Sequence, residues 1–190
     1  MTGARRLSQA IAEGDGISVL VEIADGAGAR PAQEQGAEGL VVRLHVDGLR
    51  DSSDLPLLAF GLVSDVGDVD ALVVDVAEQG DSLSDVVDAA HARGLECVLR
   101  VRDEDELEEV LALLDPEILL LSAETADDGQ DHLERLLELL PGVPAGKLAI
   151  ADLAGASRED VLELERAGVD AVIVAGGDVG SLVGDTLPDV

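Results

Sequence analysis

Short apolar runs alternate along the chain with segments in which apolar residues recur every three or four positions. The runs are rich in Val, Leu and Ile, which is typical of buried strands. They lie at residues 17–24, 40–46, 57–62, 71–76, 96–101, 118–123, 148–153 and 171–175. Segments with the period of amphipathic helices separate the later runs: LSDVVDAAHARG, DEDELEEVLALL, DHLERLLELL and SREDVLELERAG. Ser157 and Asp160 predict a capped start for the last of these, and Gly168 predicts its end.

Strands that alternate with helices predict parallel βαβ units. Eight such strands predict a compact (β/α)8 barrel, the TIM barrel of the α/β class. The whole chain, residues 1–190, is expected to form this one domain, with a lead-in helix in residues 1–16 and a tail in residues 185–190. A doubly wound open sheet is the alternative fold. No Gly-x-Gly-x-x-Gly follows the first strand, which disfavours the dinucleotide-binding form of that sheet.

The connections after the second and third strands are short. They read DGLRDSSDLP and VSDVGDVD, and a crossover with its helix needs at least about 10–12 residues. We therefore expect reduced or missing helices there, and uncovered outer faces on strands 2 and 3 at positions such as Val42, Leu44 and Val46. An uncovered apolar face usually marks a contact surface, which predicts a protein partner or self-association on that flank. The alternative is that irregular loops shield these positions.

The charge of the chain restricts its partners. The sequence has 41 acidic and 12 basic residues, a formal net charge of −29 at pH 7. This excludes a general nucleic-acid or anionic-membrane binder on electrostatic grounds. Hydrophobic residues make up 47% of the chain, so we do not interpret the charge as a sign of disorder. We interpret it as adaptation to a halophilic cytoplasm, where salt near 1 M limits electrostatic repulsion to about 3 Å.

Cysteine usage and hydropathy point to the same compartment. The single cysteine, Cys97, lies in the apolar run LECVLRV and is expected to be a core residue. The first residues, MTGARRLSQAIAEGDG, lack the apolar segment of a secretory signal. No stretch approaches the ~18 apolar residues of a membrane span. We expect a soluble, cytoplasmic protein.

Seven local patterns, in register along the chain, resemble indole-3-glycerol phosphate synthase, a (β/α)8 lyase of the tryptophan pathway. They are SQAIAEGDGISVLVEIA, EQGAEGLVVRLH, LPLLAFG, DVDALVVDV, ARGLECVLRVRDEDEL, LAIADLAG and AGVDAVIVAGG. The resemblance implies a reaction that closes an indole ring with loss of carbon dioxide and water. It also implies a lysine as general acid, assisting carboxylates, and a phosphate site at the top of the barrel.

The chain departs from the family pattern at the lysines. Glu22 matches the first-strand glutamate, but the lysine expected two residues later is Ala24. The third-strand lysine falls on Phe60 or its neighbour Ala59. The one lysine of the chain, Lys147, precedes the seventh strand and belongs at the opposite end of a barrel. The family reaction is therefore not expected, because its general acid is missing.

Other catalytic positions of the family are also changed. The fifth-strand glutamate becomes Arg100, and the asparagine after the sixth strand becomes Ser122. The Glu-Ser pair of the seventh strand becomes Asp152 and Leu153. The charge at these positions is thus rearranged and not simply removed.

Polar side chains remain at positions that point inward or end a strand, namely Glu22, Arg43, His45, Asp75, Arg100, Ser122, Glu124 and Asp152. Three interpretations stay open. The groups form a structural ion network, because unpaired charges in a barrel interior are costly. Alternatively, Arg43 and Arg100 bind a carboxylate or phosphate. In the third interpretation, an altered set catalyses a reaction, with Glu22, Arg100 and Asp152 as the candidates.

The loops after the seventh and eighth strands, AGAS and GGDVGS, offer backbone N–H groups that suit an anion. Their candidate ligand-binding residues, beside Arg43, Arg100 and Ser122, are Gly155, Gly176, Gly177 and Ser181, while Asp178 opposes an anion. His45 and Asp47 could meet Asp75 at the mouth, but His45 and Asp47 have no recognisable metal spacing, so no metal site is expected. No cofactor is expected either.

The leading functional expectation is a catalytically degenerate synthase-like barrel that serves as an interaction or regulatory subunit, and the question of a surviving enzymatic activity stays open. A small-anion binding module is the first alternative. A residual carbon–carbon lyase acting on a phosphorylated substrate is the second.

Overall fold

The computed structural model describes residues 5–43, 48–123, 132–176 and 179–182 of the chain. Eight parallel strands form a closed barrel in chain order, and β1 pairs with β8 to complete the ring. The strands are β1 (Ser18–Glu22), β2 (Gly39–Val42), β3 (Leu57–Phe60), β4 (Ala71–Asp75), β5 (Glu96–Val101), β6 (Ile118–Ser122), β7 (Leu148–Asp152) and β8 (Ala171–Ala175). The predicted (β/α)8 barrel is thus confirmed, and the open sheet is wrong.

Helices precede β1 and connect most of the strands. They are α1 (Arg6–Glu13), α2 (Ala29–Glu34), α3 (Val76–Gln79), α4 (Leu83–Ala92), α5 (Glu104–Leu113), α6 (His132–Leu139) and α7 (Arg158–Ala167). Ser157 and Asp160 form the predicted capping box of α7, and Gly168 ends this helix at a φ of 97°, which glycine adopts without strain. Within the described ranges, none of the helices has the length and apolar character needed to cross a membrane.

Side chains alternate along each strand between the barrel interior and its outer surface. Leu20, Val41 and Ile150 belong to the buried cluster that fills the interior. Val21 and Val42, each one residue further along, belong to a second buried cluster between the strands and the outer elements. Because the strands are buried on both faces, they read as continuous apolar runs in the sequence.

Helix α1, which lies within the predicted lead-in segment, closes the N-terminal end of the barrel. Leu7 and Ile11 are buried in the interior cluster. Glu96, the first residue of β5, accepts hydrogen bonds from the backbone N–H of Leu7 at 2.7 Å and of Ser8 at 3.2 Å. This carboxylate therefore satisfies N–H groups of the first turn of α1 that have no partner within the helix.

The connections on the flank of β2 and β3 are short, as predicted. The described residues after β2 contain a single 3-10 turn, Leu49–Asp51. Residues 61–70, which connect β3 to β4, contain turns and bends but no helix. In the described part of the chain, both connections therefore join neighbouring strands without an α-helix.

The prediction that the outer faces of these strands are uncovered is wrong. Val42 of β2 and Ala59 of β3 are only 3% and 2% exposed. Leu49 and Val66, from the two short connections, are buried in the same hydrophobic cluster and line the same cavity as Val42 and Ala59. The alternative, that irregular loops shield the outer positions, therefore holds for the described residues. Leu44 and Val46, the other outer positions that were predicted to be uncovered, lie outside the described residues.

Candidate functional site

The last inward-facing side chains of the strands meet at the C-terminal end of the barrel, which we name the mouth. This end carries the active site in TIM-barrel enzymes. The interior below the mouth is apolar, so the mouth is a mostly polar layer on an apolar core. Its members are Glu22, Arg43, Phe60, Asp75, Arg100, Arg102, Ser122 and Asp152.

Arg43, directly after β2, lies at the centre of the first group in the mouth, which we name the Arg43 cluster. Its Nε donates to Oε2 of Glu22 at 2.7 Å, and its Nη2 donates to the two carboxylate oxygens of Asp152 at 2.9 and 3.2 Å. The guanidinium carbon lies 4.3 Å from the centroid of the Phe60 ring, a cation–π distance. Since Glu22, Asp152 and Phe60 belong to β1, β7 and β3, one side chain connects distant parts of the ring.

The charge of Arg43 is fixed by these contacts. Burial alone would lower the pKa of Arg43, but the hydrogen bonds to Glu22 and Asp152 and the charges of both carboxylates outweigh it. The pKa of Arg43 therefore lies above its ordinary value. The guanidinium stays protonated throughout the neutral range and acts as a permanent cation.

A second ion cluster occupies the β4–β6 side of the mouth. Oδ2 of Asp75 accepts hydrogen bonds from Arg102 and from Nη1 of Arg100, the latter at 3.1 Å. Nη2 of Arg100 donates to the hydroxyl of Ser122 at 3.0 Å, and Arg102 also pairs with Glu106 at 3.6 Å. Sequence reasoning missed Arg102. The signal was present, because a residue two positions after Arg100 on an extended chain points to the same side.

A cavity of about 590 Å³ lies beside both clusters. Its walls include Arg43, Arg100, Ser122, Asp152 and Gly155. All five were singled out in the sequence, and the structure brings them together. Each of the two guanidiniums already contacts a carboxylate, so the wall presents compensated charge and not a bare positive patch.

The remaining residues of the predicted anion loops are dispersed. Gly176 packs against the first strand, where an added Cβ would lie 2.9 Å from the carbonyl oxygen of Glu22. Ser181 is exposed in the 3-10 turn Val179–Ser181. Of the described loop candidates, Gly155 is therefore the one that lines the cavity. The candidates Gly177, His45, Asp47, Glu124 and Asp178 lie outside the described residues.

The positions of the missing lysines are clear in the structure. Lys147 immediately precedes β7 and pairs with Asp115 at the N-terminal end of the barrel. Ala24 is exposed two residues beyond β1. On β3, Phe60 packs against the interior cluster whereas Ala59 faces outward, so Phe60 occupies the inward position. The described residues also contain no group of three or more His, Cys, Asp and Glu that could hold a metal ion.

The closed ring of parallel strands with a polar mouth defines a TIM-barrel protein. Solved structures with this fold include N-acetylmannosamine-6-phosphate 2-epimerase from Clostridium perfringens, with a TM-score of 0.67 at 15% identity over 86% of this chain and 88% of that one. Thiamine phosphate pyrophosphorylase from Pyrococcus furiosus gives 0.63 at 18% identity over 87% and 90%. A 3-hexulose-6-phosphate synthase gives 0.62 at 16% identity over 88% and 95%. These likenesses show the shared fold.

In sequence, the chain is similar to indole-3-glycerol phosphate synthases. It is 31% identical to that of Variovorax paradoxus over 134 residues, which is 66% of this chain and 50% of the relative. It is 23% identical to that of Geobacillus sp. over 141 residues, 70% and 55% of the two chains. The synthase of Shouchella clausii is 25% identical over 103 residues, 54% and 40%. No protein-family model matches the chain.

The matched region spans about half the length of these curated relatives. Together with the closed barrel, the similarities make the chain an indole-3-glycerol phosphate synthase-like TIM barrel, as the sequence patterns predicted.

Proposed function

We propose that the chain is a catalytically degenerate synthase-like barrel that acts as an interaction or regulatory subunit. The observation that carries this proposal is the content of the mouth. Arg43 donates hydrogen bonds to both Glu22 and Asp152 where a TIM-barrel enzyme holds its substrate. The one lysine of the chain pairs with Asp115 at the other end of the barrel.

The chemistry of these groups supports the loss of the lysine-dependent reaction. A general acid works best when its pKa lies near the operating pH. The pKa of Arg43 is raised above an already high ordinary value, so Arg43 holds its proton. Arg100 and Arg102 are guanidiniums of the same kind and share Asp75. The arginines of the mouth thus supply fixed charge and directional hydrogen bonds, but no proton.

The proposal is tested by assaying purified chain with the phosphorylated substrate of indole-3-glycerol phosphate synthases. Product formation is followed by indole fluorescence, and the background is low because the chain contains no Trp and no Tyr. The Variovorax paradoxus synthase, assayed in parallel, serves as the positive control. We expect no product above the level without protein.

Turnover by the wild-type chain that is lost in Glu22→Gln, with an unchanged circular dichroism spectrum, would overturn the proposal. That result would establish the residual lyase instead. The three solved structures with the same fold are named as enzymes, which makes this the first outcome to check.

The interaction part of the proposal, in a salt-rich cytoplasm, is supported by the acidic charge and by the two short connections on the β2–β3 flank. Its test is size-exclusion chromatography with light scattering in molar KCl, on the purified chain and on chain from a native lysate. We expect a mass above that of one chain in at least one of the two samples. A monomer of about 19.6 kDa in both would contradict the subunit role.

Small-anion binding is the second candidate, and one observation favours it. Arg43 is 33% exposed and lies with Arg100 and Gly155 on the wall of the mouth cavity. If inorganic phosphate or a sugar phosphate binds there, it raises the melting temperature, and Arg100→Ala abolishes the rise. An equal rise in Arg93→Ala and in Arg100→Ala would assign the effect to general ionic strength, since Arg93 donates to the carbonyl oxygen of Val66 away from the mouth.

A further inference from the structure

The two loops that cover β2 and β3 leave a groove of about 510 Å³ between them, which we name the flank groove. Val42, Ala59 and Val66 are buried side chains of its apolar lining. Leu62 also lines it and is 63% exposed, the highest value for a large hydrophobic side chain among the described residues. The flank groove therefore combines an apolar lining with an apolar side chain that is open to solvent.

The polar lining of the flank groove is acidic. Asp51, Asp65 and Asp68 line it and are exposed. Arg50 also lines the groove, but its guanidinium is engaged with Asp70 at 2.6 Å and with a backbone carbonyl. Arg43 lines the groove as well, but it is half-buried and paired with Glu22 and Asp152. Among the described lining residues, the exposed charged side chains are therefore the three aspartates.

We propose that the flank groove docks a basic segment of a partner protein that carries an apolar side chain between Lys or Arg residues. The proposal rests on the proposed interaction function and names its surface. Charge complementarity selects this occupant, because a cationic segment meets Asp51, Asp65 and Asp68. A second copy is disfavoured, since it brings a net charge of −29 against the same surface.

The flank groove also borders the mouth. Arg43 and Phe60 line the flank groove, and Arg43 lines the mouth cavity as well. A side chain seated in the groove therefore packs near the guanidinium that holds Glu22 and Asp152. Through this contact, a docked partner acts directly on the position of the Arg43 guanidinium.

A synthetic peptide, Lys-Arg-Trp-Leu-Arg-Lys, is the probe. Its tryptophan is the only one in the mixture, since the chain has none. Work in about 0.15 M KCl, where the screening length is about 8 Å, screens attraction from distant acidic residues but leaves contacts with the groove aspartates measurable. We expect a blue shift of the tryptophan emission that saturates with protein concentration.

Two matched pairs of variants locate the contact. Leu62→Ser is expected to weaken binding about tenfold, because an apolar contact of about 1.4 kcal/mol is lost. Leu113→Ser, at a position 57% exposed on α5, should change the affinity less than twofold. Asp65→Asn with Asp68→Asn should weaken binding several-fold more than Glu108→Gln with Glu109→Gln, which removes two exposed charges from α5.

The proposal is overturned if the wild-type chain gives no saturable shift, or if both leucine variants lose affinity equally. Equal binding of a peptide with Gly-Gly in place of Trp-Leu, measured by competition, would also overturn it. The synthase assay is independent of these results. If the chain is an active synthase and binds the peptide, the proposed degenerate function is wrong and the groove proposal stands. If the chain is inactive and does not bind the peptide, only the groove proposal is wrong.

Discussion

Arg43→Met tests whether the Arg43 cluster stabilises the barrel. Methionine keeps an unbranched apolar stem near Phe60 but removes every N–H donor. Glu22 then loses its 2.7 Å contact, and Asp152 loses contacts of 2.9 and 3.2 Å. Both carboxylates then lose the cation that they share.

The expected loss follows from the exposure of the three side chains. Asp152 is 9% exposed, whereas Glu22 is 31% and Arg43 33% exposed. Breaking a fully buried ion pair costs about 3–5 kcal/mol, and an exposed pair contributes about 0–1 kcal/mol. Because water reaches Glu22 but hardly Asp152, we expect the free energy of unfolding to fall by about 2–3 kcal/mol. For a chain of this length that lowers the melting temperature by about 4–12 °C.

The measurement is thermal unfolding followed by far-ultraviolet circular dichroism in the same buffer for each variant. Arg30→Met is the matched control, since Arg30 and Glu34 form a pair at 3.6 Å that is 84% and 72% exposed. Adding Asp152→Asn to Arg43→Met should recover part of the loss, because the buried charge is then removed too. If Arg43→Met melts within about 2 °C of Arg30→Met, the reasoning fails and the mouth carboxylates are adequately hydrated without Arg43.

Three other measurements check different parts of the molecule. Glu96→Ala should lower the free energy of unfolding by about 1–2 kcal/mol in a urea titration, because it uncaps α1, whereas Glu117→Ala breaks the exposed pair with Arg5 and should change it little. Burial raises the pKa of the Cys97 thiol from 9.0 to about 11, so the unfolded chain releases this proton first and stability should fall as the pH rises from about 9 to about 11. This fall should be absent from Cys97→Ala, and a thiol that iodoacetamide alkylates equally fast in the native and urea-unfolded chain at pH 9 would contradict the burial argument. Raising KCl from about 0.1 to 2 M should raise the melting temperature, because repulsion among charges that sum to −29 is screened, and an unchanged temperature would contradict the halophilic interpretation.

The barrel could be predicted because its strands are short and buried on both faces. Such strands leave continuous apolar runs, and the longer helices between them show the three-to-four-residue period instead. The cover of the flank could not be predicted in the same way. Helix length can be counted in a sequence, but the cover here is made by single side chains, Leu49 and Val66, in irregular loops. Their burial beside Val42 and Ala59 depends on the path of the backbone and leaves no periodic signal.

In the mouth, too, one part could be predicted from the sequence and another could not. The alternation of side chains identified Glu22, Arg43, Arg100 and Asp152 as inward groups. Which of them bond to which was not accessible, because Arg43 and Asp152 are 109 positions apart and meet only when the ring closes. The contact of Asp75 with two arginines likewise depends on the strand register that places Asp75 beside Arg100.

The mouth has arginines but no lysine, which changes what it can do: Ala24 and Phe60 stand at the lysine positions, whereas Arg100 replaces a glutamate. A lysine whose pKa is lowered by burial can donate a proton and take one up again. A guanidinium that is bonded to two carboxylates keeps its proton and its position. A ligand that enters at Arg43 must also compete with Glu22 and Asp152 for the same N–H donors. The Arg43 cluster therefore raises the cost of binding at the mouth and favours stability there. This favours the flank groove as the place for the proposed recognition, because a partner that contacts Leu62 and the exposed aspartates there breaks no internal ion pair.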